Sequence, residues 1–167
     1  METHEEPSSS LTHEPFYNSL VEFFRANSDY RRYVEYLELG VRAGDDHAAH
    51  ALGSMCLHGL DAHGIVAPDL AWKIDVRRGL KLVRRASRSV HLAMLDLATF
   101  YESGDFGLRR SPRRAFLLFV RSVEFGSVSG RFHVGRCYEY GIGTKVDRRR
   151  AASWYAAAAK LGFPVYN

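Results

Sequence analysis

The chain repeats itself. Four 16-residue stretches align without gaps: "DYRRYVEYLELGVRAG" from Asp29, "DVRRGLKLVRRASRSV" from Asp75, "SPRRAFLLFVRSVEFG" from Ser111 and "DRRRAASWYAAAAKLG" from Asp147, with starts 46, 36 and 36 residues apart. A unit this short cannot bury its own apolar face, so it must stack on its neighbours to build a core. That requirement narrows the fold more than any local propensity does.

Each copy opens with Asp or Ser, whose side-chain oxygen accepts from an amide two or three residues on and starts a helix. Apolar and small residues then recur at spacings of three and four, as in Tyr33, Tyr36, Leu37, Gly40, in Ala115, Leu118, Phe119, Ser122 and in Ala151, Trp154, Tyr155, Ala158. This spacing predicts one buried helical face. Gly44, Gly126 and Gly162 stand where a left-handed residue would stop the helix, whereas the second copy has Val90 and a weaker stop. Between these helices runs a second series, "HAAHALGSMCLHG", "VHLAMLDLATFYESG" and "SGRFHVGRCYEYG". In it Gly53, Ala98 and Gly135 fall in register and would let a neighbouring helix approach closely. Each unit therefore reads as a helix A and a helix B, and residues 14–26 supply the first helix of an atypical capping pair.

The assembled pattern, "LG" and "Y-x-x-G" on helix A, a glycine turn, then "D-x-x-R-A-x-x-W-Y-x-x-A-A-x-x-G", resembles the Sel1-like repeat family. The last unit carries it through Gly135, Tyr138, Gly141, Gly143, Asp147, Ala151, Trp154, Tyr155, Ala158, Ala159 and Gly162. Departures are Thr144 for the usual valine, Gly79 for alanine and Val90 for glycine. Tetratricopeptide repeats are the near alternative, but the 36-residue spacing and the glycine-bearing turn favour the Sel1 type. The resemblance implies an all-α, TPR-like α-solenoid of about four antiparallel helix pairs, with helices A on the concave side. It also implies an adaptor or scaffold that holds other proteins without catalysis or cofactor. The expected layout is a disordered acidic tail over 1–13 and one solenoid domain over 14–167. Within that domain lie a capping pair at 14–44 and repeats at about 45–90, 91–126 and 127–162.

Charge sharpens the question of partner. Residues 1–70 carry a net −8 and residues 71–167 a net +12, and 19 of the 23 bases are arginine, which binds carboxylate or phosphate bidentately. The third and fourth positions of every copy are Arg31 and Arg32, Arg77 and Arg78, Arg113 and Arg114, Arg149 and Arg150. Basic residues at a helix start oppose the backbone dipole, so helix formation does not explain them. Stacking would align them as an edge, with rungs about 10 Å apart. One reading is a solvated face in which one of each pair is the repeat's customary basic residue. The other is a docking edge for a protein partner with an acidic surface, or for phosphate groups. Arg84, Arg85 and Arg88 would widen it if they point the same way. The uneven charge also fits head-to-tail self-contact, and the chain could serve as a subunit of a larger assembly. Nucleic acid is the alternative ligand, but stacking aromatics should then interleave with the bases. Tyr33, Trp154 and Tyr155 instead fall on the predicted core face.

The loop "GLDAHGIVAPDLAWKID" is about nine residues longer than its counterparts and contains Ile65, Val66, Leu70 and Trp72. It either folds back on the core or offers Trp72 to a partner. His47 and His50 lie three apart near Asp45, Asp46, His58 and His63, but no second ligand pair has a recognised spacing, so no metal is expected. No catalytic constellation or phosphate-binding glycine loop is present, and "GIG" is a helix–helix turn. Cys56 and Cys137 read as packed thiols. No run of 18 apolar residues exists for membrane insertion. The opening "METHEEPSSS" carries neither a basic nor an apolar leader, which makes the cytoplasm the expected compartment.

Overall fold

The computed structural model describes residues 29–60 and 72–164. Among them are seven α-helices and no strand: α1 (Tyr30–Ala43), α2 (Asp46–His58), α3 (Val76–Ala86), α4 (His91–Ser103), α5 (Pro112–Glu124), α6 (Val128–Tyr140) and α7 (Arg148–Ala159). The helices predicted from the two repeated series are all present. The tail over 1–13 and the helix anticipated at 14–26 lie outside the described residues.

The chain divides into two compact units at Gly79/Leu80. In the first unit, Asp29 accepts from the Arg32 amide, Asp45 from the amides of His47 and Ala48, and Asp75 from that of Arg78. These bonds satisfy amides that have no partner within their own helix. Gly44, at φ 98°, closes α1 in the left-handed conformation. Leu37 of α1 and Ala48, Ala49, Leu52, Met55, Cys56 and Leu57 of α2 are buried.

The start of α3 shows why the expected alanine is absent. A β-carbon on Gly79 would stand 2.6 Å from Leu57 Cγ and 2.9 Å from the Gly53 carbonyl oxygen. The register of Leu57, two residues before the glycine that ends helix A, is held by Glu102 and Glu139 in the later repeats. At the register of Gly79 those repeats carry Ala115 and Ala151, so glycine on one helix accommodates leucine on the other.

In the second unit, α4 pairs with α5 and α6 with α7, while α6 also packs on α5. Ala98, Ala115, Phe116, Phe119, Val134 and Cys137 form its buried centre, flanked by Tyr138 and Trp154. Gly135 supplies the close approach anticipated for it, because a β-carbon there would come within 2.8 Å of the Tyr155 ring. Two local details follow from departures in the repeat. Lacking the terminal glycine, α3 ends at Ala86 and leaves through a turn to Val90, which offers no side-chain cap to α4. Ser111 makes no side-chain cap bond either, and Pro112, which has no amide hydrogen, opens α5.

Both cysteines are buried free thiols. Burial pushes the Cys137 thiol from an ordinary 9.0 up to about 11. At pH 8 only about one part in a thousand is then thiolate, the reactive form. Because the folded value lies above the unfolded one, the stability this group contributes is complete below pH 9 and is lost as pH rises through 11. Native protein should therefore resist thiol labelling at Cys137 at pH 8 and label fully in denaturant. Its unfolding midpoint should fall between pH 9 and 11, and Cys137→Ala should remove part of that fall.

Candidate functional site

All eight arginines of the aligned pairs are exposed, on the first turns of α1, α3, α5 and α7. Consecutive helical residues point about 100° apart, so the two members of a pair cannot share one environment. The structure separates them consistently. Each fourth-position arginine turns to a partner within its own unit. Arg32 sits 3.4 Å from Asp29, and Arg78 donates to both carboxylate oxygens of Glu38 at 2.5 and 2.6 Å. Arg114 lies over the Tyr101 ring at 5.4 Å, and Arg150 lies over the Tyr138 ring at 5.6 Å and 3.2 Å from Asp147. Hydrogen bonding to Glu38 pushes the Arg78 guanidinium above its already high ordinary value. Such exposed cation–π contacts and ion pairs contribute at most about 1 kcal/mol each.

The third-position arginines are not engaged in this way. Among the described residues, Arg31, Arg77 and Arg149 have no side-chain hydrogen-bond or ion-pair partner, and Arg113 makes a single 3.3 Å bond to the Gly143 carbonyl. The signal for this split was present in the sequence. Tyr101 and Tyr138 both stand three residues before the glycine that ends helix A, and Cys56 replaces them in the first unit. With no ring at that place, Arg78 reaches back to Glu38 of α1.

Elsewhere on the basic half, Arg84 and Arg88 are exposed and Arg85 is half-buried. The Arg88 carbonyl accepts from the Arg121 guanidinium at 3.0 Å. Arg136 pairs with Glu102 at 2.5 Å, joining α6 to α4, a tie between successive A helices that sequence reading did not find. Tyr33 is buried and Trp154 and Tyr155 are half-buried, so none stands free as a stacking platform. The Tyr155 hydroxyl donates to Glu139 at 2.5 Å, and burial with that bond raises its pKa.

Trp72 is half-buried and its indole N–H donates to the Met55 carbonyl at 3.1 Å, while the Asp75 amide donates to the Cys56 carbonyl at 2.9 Å. The end of the long loop is thus bound to the end of α2. Ile65, Val66, Leu70 and His63 lie outside the described residues. His47 and His58 are exposed and His50 is half-buried, and among the described residues no three His, Cys, Asp or Glu side chains gather as a metal site would need. No helix among them is long and apolar enough to cross a membrane.

Comparison with known proteins bears on this geometry. The Sel1 repeat family model matches residues 46–89, 91–124 and 128–163, more than half of the chain. The chain is 33% identical over 100 residues to chitin synthase regulatory factor 3 of Schizosaccharomyces pombe, which covers 56% of this chain and 11% of that protein. It is 34% identical over 77 residues to chitin synthase regulatory factor 2 of the same organism, covering 43% and 15%. The chain therefore spans only a small part of these curated relatives. Among solved structures, a Sel1 repeat protein from Oxalobacter formigenes superposes with a TM-score of 0.65 at 21% identity, covering 78% of this chain and 49% of that one. A protective antigen present in uropathogenic Escherichia coli strains, displaying an SLR fold, gives 0.67 at 22% identity, covering 77% and 26%. At these identities the likeness is one of fold, and the fold class is the all-α solenoid.

Proposed function

Since the chain belongs to the Sel1 repeat family, we propose that it is a non-catalytic adaptor that recruits a partner protein by docking acidic segments on its third-position arginines, Arg31 and Arg77 in one unit and Arg113 and Arg149 in the other. The observation that carries this reading is the split within each pair. Arg32, Arg78, Arg114 and Arg150 are engaged by neighbouring side chains, whereas Arg31, Arg77 and Arg149 present guanidinium groups with no anionic partner among the described residues, and Arg113 meets only a carbonyl. Placing unpaired cations where the helix dipole opposes them costs stability, and an external anion offsets that cost. Two relatives similar to this chain are named as regulatory factors of an enzyme, which supports a role in regulation through recruitment.

The test is affinity capture from cells of the source, comparing wild type with Arg31, Arg77, Arg113 and Arg149 changed to Glu, each with and without nuclease. A protein partner that survives nuclease and disappears from this variant is the expected result. The matched variant with Ala at Arg32, Arg78, Arg114 and Arg150 should keep the partner while melting a few degrees lower, at about 2–4 °C per kcal/mol for a chain of this size. Capture unchanged by the four Glu substitutions would remove the arginines from the docking surface. Loss of the partner with nuclease would make the ligand nucleic acid.

A further inference from the structure

Independently of what docks on the arginines, we infer that Ser111 is a phosphorylation site for a proline-directed protein kinase, and that the phosphate takes the place of a carboxylate this repeat lacks. The first position of the aligned copies is Asp29, Asp75, Ser111 and Asp147, so serine stands where the other three carry an acid. What the acid does is constant. Its carboxylate accepts from the amide three residues on, that of Arg32 at 3.3 Å, of Arg78 at 2.9 Å and of Arg150 at 2.9 Å. In two of the copies its second oxygen also holds the guanidinium of that same arginine, at 3.4 Å for Arg32 and 3.2 Å for Arg150. Ser111 makes no side-chain cap bond, and Arg114 lies over the Tyr101 ring instead.

The change from Asp also creates a recognition sequence. The arginine pair is common to all four copies, but only here does Ser-Pro precede it, giving "SPRR" with Arg109 and Arg110 ahead. Of the chain's five prolines, Pro112 alone follows a serine or threonine. Kinases select substrates by such patterns. A pocket with no acceptor for the amide after the serine admits proline, which has no N–H, and a base three residues on meets an acidic groove. The local structure suits that approach. Residues 108–111 belong to no helix, and Ser111, at φ −148° and ψ 82°, joins Pro112 through a trans peptide. Ser111 is half-buried, and Arg109, Arg110, Arg113 and Arg114 are exposed around it. In the transfer, Ser111 Oγ attacks the γ-phosphorus of ATP and the bond from that phosphorus to the bridging oxygen breaks. ADP leaves, and the hydroxyl proton passes to the catalytic carboxylate of the kinase. The phosphoserine carries a charge of about −1.5 to −2 and three acceptor oxygens. Residues 108–114 hold four arginines and no acid to compete for it. One oxygen then accepts from the Arg114 amide and another pairs with its guanidinium, as the Asp147 carboxylate does with Arg150.

The experiment treats the full chain with a purified proline-directed serine/threonine kinase and MgATP, and locates the phosphate by mass spectrometry. Phosphate on Ser111 is the expected result, with incorporation slower by about tenfold in Pro112→Ala and in Arg114→Ala, the weight of one lost recognition contact. Ser111→Ala should take up none at this position while melting close to wild type, because no cap bond is lost. A circular dichroism melt should place the phosphorylated chain roughly 3 °C above the unmodified one, and Ser111→Asp should shift the midpoint in the same direction. Modification of a peptide of residues 105–118 but not of the native chain would overturn the site, because the fold would then withhold the serine. So would an unmodified Ser111 in both, or incorporation indifferent to Pro112 and Arg114. A phosphate on Ser111 that leaves the midpoint unchanged or lowers it would overturn its role as the missing cap.

Discussion

Gly143→Ala is expected to lower the thermal midpoint by about 10 °C, the equivalent of about 3 kcal/mol or more in a chain of this length. Two costs combine at this position. Gly143 sits at φ 68°, in the left-handed region where a side chain costs about 1–2 kcal/mol. The added methyl would also meet the Pro112 carbonyl oxygen at 2.1 Å and Arg113 Cα at 2.9 Å, and these are backbone atoms that cannot swing aside. Relief requires the loop before α7 to move away from the start of α5. Gly162→Ala is the control, because that glycine has a similar φ of 81° with nothing within 4 Å of a β-carbon. It should cost only the conformational part. Circular dichroism melts of the two variants decide the matter: equal losses would mean that the approach of the loop to α5 adds nothing.

The second large effect is a coupling. Leu57→Ala should cost about 2–5 kcal/mol, as truncation of a buried leucine does. Gly79→Ala should cost about 1–3 kcal/mol through overpacking, partly offset by the better helix propensity of alanine. Made together, the two should cost less than the sum by about 1–2 kcal/mol, because the clash at 2.6 Å involves the Leu57 side chain itself. The remaining 2.9 Å approach to the Gly53 carbonyl oxygen keeps the double variant below wild type. Urea unfolding of the four proteins measures the coupling, and strict additivity would mean that the two residues do not face one another.

Much of the architecture was legible because it is written locally. Asp75 and Asp147 cap the helices they precede, Gly44 and Gly141 take the left-handed conformation, and Ala115, Phe119 and Ser122 are buried on one face, as the spacing of the repeat requires. The arginine pairs were read as a pattern but not as two populations, although Tyr101 and Tyr138, and Cys56 in their place, carried a signal for the split. Their division depends on Tyr101, Tyr138 and Glu38, which lie on other helices, and on the 100° turn between neighbouring residues. Gly79 stood out as a departure from the family's alanine. Its reason lies 22 residues earlier at Leu57, and only the packing connects them. Trp72 was open to two readings, and its bond to the Met55 carbonyl ties at least that residue to α2.

The facing of Leu57 against Gly79, at positions where the later repeats carry Glu102 with Ala115 and Glu139 with Ala151, bears on how such a chain can be recombined. A crossover that moves helix A together with the helix B that follows it transfers both halves of the fit. A crossover between them sets leucine against alanine, which overlaps, or glutamate against glycine, which leaves a gap. The interchangeable part is therefore the helix pair, and chimaeras joined inside a pair should fail more often than those joined between pairs, even though every helix in them is drawn from the same family.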